Sequence, residues 1–126
     1  MIRPVLKAIA DEPNHHIKSL WIDSGASDEH IEEVSRMKTL EELHITNCSY
    51  INGMFLGELR TELARLKVLD FRGSYQIGIA EIRECVKNHA KTIKSLHIDG
   101  EGVSSEELES VIQPIDQFEE LSIYFG

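Results

Sequence analysis

Hydrophobic and polar positions along the chain follow one pattern that occurs five times. Each copy has apolar residues in the spacing L-x-x-L-x-I, with Ile or Phe also accepted at the apolar positions. The copies are Ile17/Leu20/Ile22, Leu40/Leu43/Ile45, Leu66/Leu69/Phe71, Ile93/Leu96/Ile98 and Phe118/Leu121/Ile123. Their middle leucines are separated by 23, 26, 27 and 25 residues. Apolar alternation over a few residues predicts a short strand in each copy.

Between the copies the apolar spacing changes to that of an amphipathic helix. Ser27, which two acidic residues follow, predicts a helix start, and Ser104 with Glu107 predicts a capping box. The apolar stripes of the four segments are Ile31/Val34/Met37, Leu56/Leu59/Leu63, Ile79/Ile82/Cys85/Val86 and Leu108/Val111/Ile112/Ile115. Pro114 is expected to shorten or kink the last helix. Residues 4–10 are predicted to be the end of an earlier helix.

A strand and a helix of this size cannot bury their apolar faces alone, so the units are expected to stack. Stacking places the strands in one parallel sheet with the helices on one side of it. Right-handed crossovers then predict a right-handed βα solenoid, which is an α/β fold with residues 1–126 as a single domain. The expected inward ladder is Leu20/Leu43/Leu69/Leu96/Leu121 with Ile22/Ile45/Phe71/Ile98/Ile123.

The best-formed copy of the pattern is Leu40–Ile51, with the sequence LEELHITNCSYI. It resembles the cysteine-containing leucine-rich repeats of F-box adaptors and ribonuclease-inhibitor-like proteins, and the resemblance extends over residues 17–125. It implies about five repeats, with the sheet on a concave face and the helices on a convex face. It also implies that the Asn or Cys after the strand, here Asn47 and Cys48, satisfies backbone groups of the turn. The other copies have Gly25, Ser74, Glu101 and Gly126 at the position of Cys48.

The resemblance further implies protein recognition without chemistry. Our first hypothesis is the substrate-recognition part of a ubiquitin-ligase adaptor, although the residues before the first strand are too few for an F-box. The second hypothesis is a stand-alone assembly or scaffold factor. Because the sequence starts within a repeat and stops just after a strand, we expect incomplete capping repeats. Either a longer protein or self-association through open strand edges would then cover the ends.

Side chains between the ladder positions point to the opposite face of the sheet. We predict a partner-binding surface there, made of Trp21, Asp23, His44, Thr46, Asp70, Arg72, His97, Asp99 and Tyr124. Trp21 is the only tryptophan. It is an interface hot spot, a cover for the edge of the first strand, or a residue that packs on a preceding repeat. Arg72 either faces the partner or pairs with Asp70, Asp99 or Asp23.

The net charge of the chain limits the classes of partner that it can bind. The formal net charge is -9, and from Ser95 onward the chain has acidic residues but no Lys or Arg. This balance argues against nucleic acid. The acidic part of the chain is either an ordinary solvated surface or a surface for a partner with a basic surface. Two cysteines are too few for a disulfide framework, and no apolar stretch is long enough to span a membrane. We therefore predict a cytoplasmic or nuclear protein with no membrane contact.

A catalytic or metal-binding function is a remote alternative. His44, Asp70 and His97 fall on three successive predicted strands, and such a group could ligate a metal or exchange protons. The sequence contains no phosphate-binding glycine motif, no C-x-x-C and no G-x-S-x-G. We accordingly predict that the protein is not an enzyme and that it has no catalytic residues, cofactor or metal.

Overall fold

The computed structural model describes residues 2–12, 16–53, 56, 65–115 and 117–125, and over these residues the fold is α/β. The helices are α1 (Ile2–Asp11), α2 (Asp28–Val34), α3 (Ile79–Asn88) and α4 (Ser105–Ile112). The strands are β1 (Ser19–Asp23), β2 (Glu42–Thr46), β3 (Val68–Asp70), β4 (Ser95–Asp99) and β5 (Glu120–Tyr124). All five strands run parallel in one sheet, in the order β1-β2-β3-β4-β5.

The strand pairing confirms the predicted register. The successive partners across the sheet include Leu20, Leu43, Leu69, Leu96 and Leu121. Phe71 lies directly after β3, where its backbone N–H still donates to the carbonyl of His97 at 2.9 Å. Chain order equals spatial order, so every crossover joins two neighbouring strands and each repeated position forms a row across the sheet.

Two helices begin at the predicted capping residues. Ser27 precedes α2, and its backbone N–H donates to Nδ1 of His30 at 2.8 Å. Before α4 the hydroxyl of Ser104 accepts from the N–H of Glu107 at 3.1 Å, while the N–H of Ser104 donates to the Glu107 carboxylate at 3.0 Å. This reciprocal pair is the predicted capping box. α4 ends at Ile112, two residues before Pro114, as the proline predicts.

The core lies between the leucine face of the sheet and the helices. It contains the buried leucines of β2, β3 and β4 together with the helical residues Ile31, Val34, Ile82, Cys85, Val86 and Val111. Leu6 of α1 joins this core, so α1 is part of the same packed layer. Leu56 is also buried, whereas the predicted core residues Leu59 and Leu63 lie outside the described residues.

The ladder is less buried at its ends than predicted. Leu121 remains 37% exposed, and Leu20 and Ile123 are half-buried, whereas Leu43, Leu69 and Leu96 are fully buried. The expectation of a uniformly inward ladder is therefore wrong for Leu121. Its strand, β5, pairs only with β4 among the described strands, so one side of the Leu121 side chain has no neighbouring row against which to pack.

Candidate functional site

The face of the sheet opposite the core carries the predicted site residues, and we call it the polar face. Its central row is Trp21, His44, Asp70, His97 and Ser122, which are partners in adjacent strands. The predicted placement of this row is therefore confirmed. Its members nevertheless differ in exposure: Trp21 is 63% exposed, while Asp70 is fully buried.

Asp70 is the centre of a hydrogen-bonded network. Its Oδ1 accepts from Nε of Arg72 at 2.8 Å, and its Oδ2 accepts from Nη2 of Arg72 at 2.5 Å. Nδ1 of His44 lies 2.8 Å from the same Oδ2. Burial raises the pKa of Asp70, but the hydrogen bonds from Arg72 and then from His44 outweigh it and lower the pKa to about 2. The carboxylate is thus ionised and held by two neighbours.

His44 is buried beneath the surface of the polar face. Its ring stacks on the indole of Trp21, with centroids 3.5 Å apart and planes 12° from parallel. Nε2 of His44 lies 3.4 Å from Oε1 of Glu42. His44 is 5% exposed and Asp70 is fully buried, so these two side chains offer little surface to a partner, and their role in binding stays a prediction. Their side chains point toward this face, but the larger side chains of Trp21 and Arg72 cover them.

Arg72 pairs with residues of its own chain. Besides its two bonds to Asp70, its Nη1 donates to the hydroxyl of Tyr124 at 3.1 Å. The guanidinium also lies 5.1 Å from the centre of the Tyr124 ring, which is cation–π range. Of the three predicted partners, Asp70 is the one that forms the ion pair. Arg72 is therefore a rigid wall of the polar face, and its charge is balanced within the protein.

A groove of about 350 Å³ opens on this face beside the indole. Trp21, Asp23, Thr46, Asn47 and Arg72 line it. Oδ1 of Asp23 accepts from the Thr46 hydroxyl at 2.7 Å and from the Asn47 amide at 2.8 Å. These two hydrogen bonds lower the pKa of Asp23, so the groove contains an ionised carboxylate next to an exposed aromatic ring.

The other predicted residues lie on β4 and β5. Nε2 of His97 is 3.1 Å from Oε1 of Glu120, and its Nδ1 is buried with no hydrogen-bond partner among the described residues. Asp99 accepts a hydrogen bond from the N–H of Gly73 at 2.7 Å and so holds the turn after β3. Tyr124 is exposed apart from its contacts with Arg72. The predicted site thus consists of a groove near β1 and a patch near β5, and Arg72 contacts both of them.

The predicted partner-binding surface left out three residues of the polar face. Asn47 was assigned only to the turn, yet its amide binds Asp23 and its side chain lines the groove. Glu42 and Glu120 flank His44 and His97 and carry exposed carboxylates. The signal for both glutamates was present, because they occupy one repeated strand position. The role of Asn47 depends on its positive φ of 55°, which no spacing predicts.

Both cysteines are free, buried thiols. Sγ of Cys48 lies 3.4 Å from the carbonyl oxygen of Thr46, and its N–H donates to the hydroxyl of Ser74 at 3.1 Å. That hydroxyl donates in turn to the carbonyl of Ile45 at 2.9 Å. Cys48 therefore does satisfy backbone groups of the turn. Burial raises the pKa of Cys85 to about 12, so this thiol is kept protonated in the core.

The His44, Asp70 and His97 group is not assembled as a metal site. Within the described part of the chain, no three His, Cys, Asp or Glu side chains are arranged to hold a metal ion. Asp70 is committed to Arg72 and His44, and the Nε2 atoms of the two histidines face glutamates on either side. The arrangement is a set of paired side chains around one buried carboxylate.

Two comparisons with known proteins bear on the assignment of a family. No protein-family model matches this chain, and no curated protein matches its sequence. The resemblance to leucine-rich repeats therefore remains a prediction from the repeated pattern. A search of the described helices for one long and apolar enough to cross a bilayer finds none.

Proposed function

We propose that this chain is a leucine-rich-repeat module that binds a partner protein on the polar face of its sheet. In this proposal the sheet is the concave face of a right-handed βα solenoid. Five parallel strands in chain order, with one repeated register, support the architecture. The module works as a binding surface in the cytoplasm or nucleus and catalyses no reaction.

The observation that carries this proposal is the exposed Trp21 beside a groove. A tryptophan that is 63% exposed leaves a large apolar area in water, and such residues are enriched at the centres of interfaces. The indole is already ordered by its stack on His44, so binding costs little side-chain entropy. Arg72, which lines the groove, is held in place by its hydrogen bonds to Asp70.

The biological setting follows from the same resemblance. The first setting that we propose is the substrate-recognition part of a ubiquitin-ligase adaptor, with the ligase-binding module elsewhere. The second is a stand-alone assembly or scaffold factor. Both hypotheses place the partner on the polar face, so the first experiment tests whether this face binds a partner.

The test uses two single substitutions of exposed aromatic residues. The chain is used to capture partners from extracts of cells that express it, and a captured partner is purified and titrated against wild type, Trp21→Ala and Tyr75→Ala. Tyr75 is the matched control because it is 71% exposed but lies in the turn after β3. We expect Trp21→Ala to weaken binding by at least about tenfold and Tyr75→Ala to leave it unchanged.

Circular dichroism of each variant reports whether the fold is intact. A partner that binds Trp21→Ala as tightly as wild type would contradict the proposal. Loss of binding in Tyr75→Ala alone would move the interaction surface from the sheet to the loops that follow the strands.

A further inference from the structure

The groove at Trp21 combines an exposed aromatic ring with a carboxylate, and this composition favours one kind of side chain from the partner. We propose that the partner places a cationic side chain, lysine or arginine, in this groove, with its apolar stem on the indole and its charged end at Asp23. This inference rests on the proposed function, because it assigns the chemistry of the partner that the polar face binds.

Unbalanced negative charge on the polar face supports this occupant. Four carboxylates of the face, those of Asp23, Glu42, Asp99 and Glu120, have no Lys or Arg nitrogen within 4.0 Å among the described residues. The residues directly before the two glutamates behave differently. Glu41 lies 3.2 Å from Nζ of Lys67, and Glu119 lies 3.5 Å from Nζ of Lys94.

Lysines thus pair with the glutamates that directly precede β2 and β5, whereas the glutamates at the first position of these two strands have no Lys or Arg partner among the described residues. The overall charge of -9 adds to the negative potential in front of the face. A basic partner is attracted to such a surface, and an acidic one is repelled.

Asp23 supplies a specific acceptor at the groove. Thr46 and Asn47 both donate to its Oδ1, so Oδ2 receives no hydrogen bond from the described residues. The depressed pKa of Asp23 keeps the carboxylate ionised at neutral pH. An ammonium or guanidinium group at Oδ2 would form a charge-assisted hydrogen bond, which is stronger than a neutral one.

Arg72 does not compete for this acceptor or repel a cation as a free charge would. Both Nε and Nη2 are bound to Asp70, and the third contact, from Nη1, goes to Tyr124. The charge that remains in the groove is therefore that of Asp23.

Trp21 provides the second part of the recognition. Lysine and arginine have apolar stems that cover aromatic surface while their heads stay polar, and their charge is attracted to an indole face. A purely apolar occupant would instead bury Oδ2 of Asp23 without a donor, which is costly. An anionic occupant would be repelled by the four carboxylates that have no Lys or Arg partner among the described residues.

The single tryptophan makes the groove directly observable. Because Trp21 is the only tryptophan, the intrinsic fluorescence of the unmodified chain reports on this site. The probes are three short glycine-flanked peptides that differ at two positions, which hold arginine, lysine or the neutral arginine analogue citrulline. We expect a saturable fluorescence change with the arginine and lysine peptides, and at least about fivefold weaker binding of the citrulline peptide.

Two substitutions separate the groove from the overall charge. Asp23→Asn retains the oxygen that accepts from Thr46 and Asn47 but removes the charge. It should lower the affinity for the cationic peptides about fivefold. Glu109→Gln removes the same charge from an exposed position of α4 and should leave the affinity within about twofold of wild type.

The outcomes distinguish this inference from the proposed function. Equal affinity for arginine and citrulline peptides, an equal effect of the two substitutions, or no saturable response to any peptide would overturn the cationic occupant. If a captured partner still depended on Trp21 after such a result, the polar face would remain the binding surface and only its assigned chemistry would be wrong.

Discussion

The middle and the edges of the sheet use the same repeated positions for different purposes. In β2 to β4 the ladder leucines are fully buried and the opposite face holds the Asp70 network. In β1 and β5 the same two rows contain the exposed Trp21 and the partly exposed Leu121. The sequence pattern is alike in all five strands, so the neighbours of each side chain in space decide how much of it is covered.

This difference shows where stability and recognition lie in the molecule. Central side chains have a neighbouring row on both sides, and changes there leave cavities or unpaired charges. At the edges Trp21 and Leu121 keep part of their surface in water, and it is at β1 that an aromatic ring is available to a partner.

The contribution of a ladder leucine to stability is compared at the centre and at the edge of the sheet with the same Leu→Ala substitution. Leu69→Ala at the centre should lower the free energy of unfolding by about 2–5 kcal/mol, because a cavity forms in packed surroundings. Leu121→Ala at the edge should cost less than about 1 kcal/mol, because this side chain is already partly hydrated. Urea unfolding of both variants gives the difference, and similar losses at the two positions would contradict it.

Lowering the pH should reduce the free energy of unfolding, because the ionised Asp70 stabilises the centre of the sheet. Its pKa of about 2 in the folded chain lies below the ordinary value of 3.8, so its contribution is present above about pH 4 and is lost as the pH falls toward 2. The difference in unfolding free energy between wild type and Asp70→Asn should therefore shrink by about 2 kcal/mol over this range.

Comparison with the substituted chain removes the contributions of the other carboxylates. Unfolding curves at intervals from pH 7 to pH 2 measure the effect. A difference that stays constant across the range would mean that the native state does not stabilise the ionised form of Asp70.

A smaller effect on stability than at Leu69 or Asp70 is expected at Trp21. Trp21→Ala removes a stack on His44 but little buried area, and it should cost about 1 kcal/mol. Because this variant has no tryptophan, its unfolding is followed by circular dichroism. A loss above about 3 kcal/mol would identify Trp21 as a structural cover for the edge of β1, which was one of the alternative interpretations of this residue.

Much of the fold could be predicted because it depends on local, repeated signals. The L-x-x-L-x-I spacing located all five strands and their register, and the Ser104 and Glu107 pair located the start of α4. The row that contains Trp21, His44, Asp70 and His97 followed from side-chain alternation alone. These features require only backbone geometry and the burial of apolar side chains.

The site could be predicted only in part, because exposure depends on the sizes of neighbouring side chains. Alternation places His44 and Asp70 on the polar face, but it cannot show that Trp21 and Arg72 lie over them. It also cannot select Asp70 over Asp23 or Asp99 as the partner of Arg72, since all three occupy nearby positions of adjacent strands. The bond from Asn47 to Asp23 required the actual path of the turn.

The sequence by itself determined the five strands, their parallel order and the face to which each side chain points, because the period of two and the repeat interval are properties of the chain. Only the tertiary structure decided which of those side chains meet water. It buried Asp70 under Arg72, left Trp21 exposed beside Asp23 and uncovered part of Leu121. The physical reason is that burial is a property of neighbours in space, and repeated residues acquire different neighbours at the centre and at the edge of one sheet.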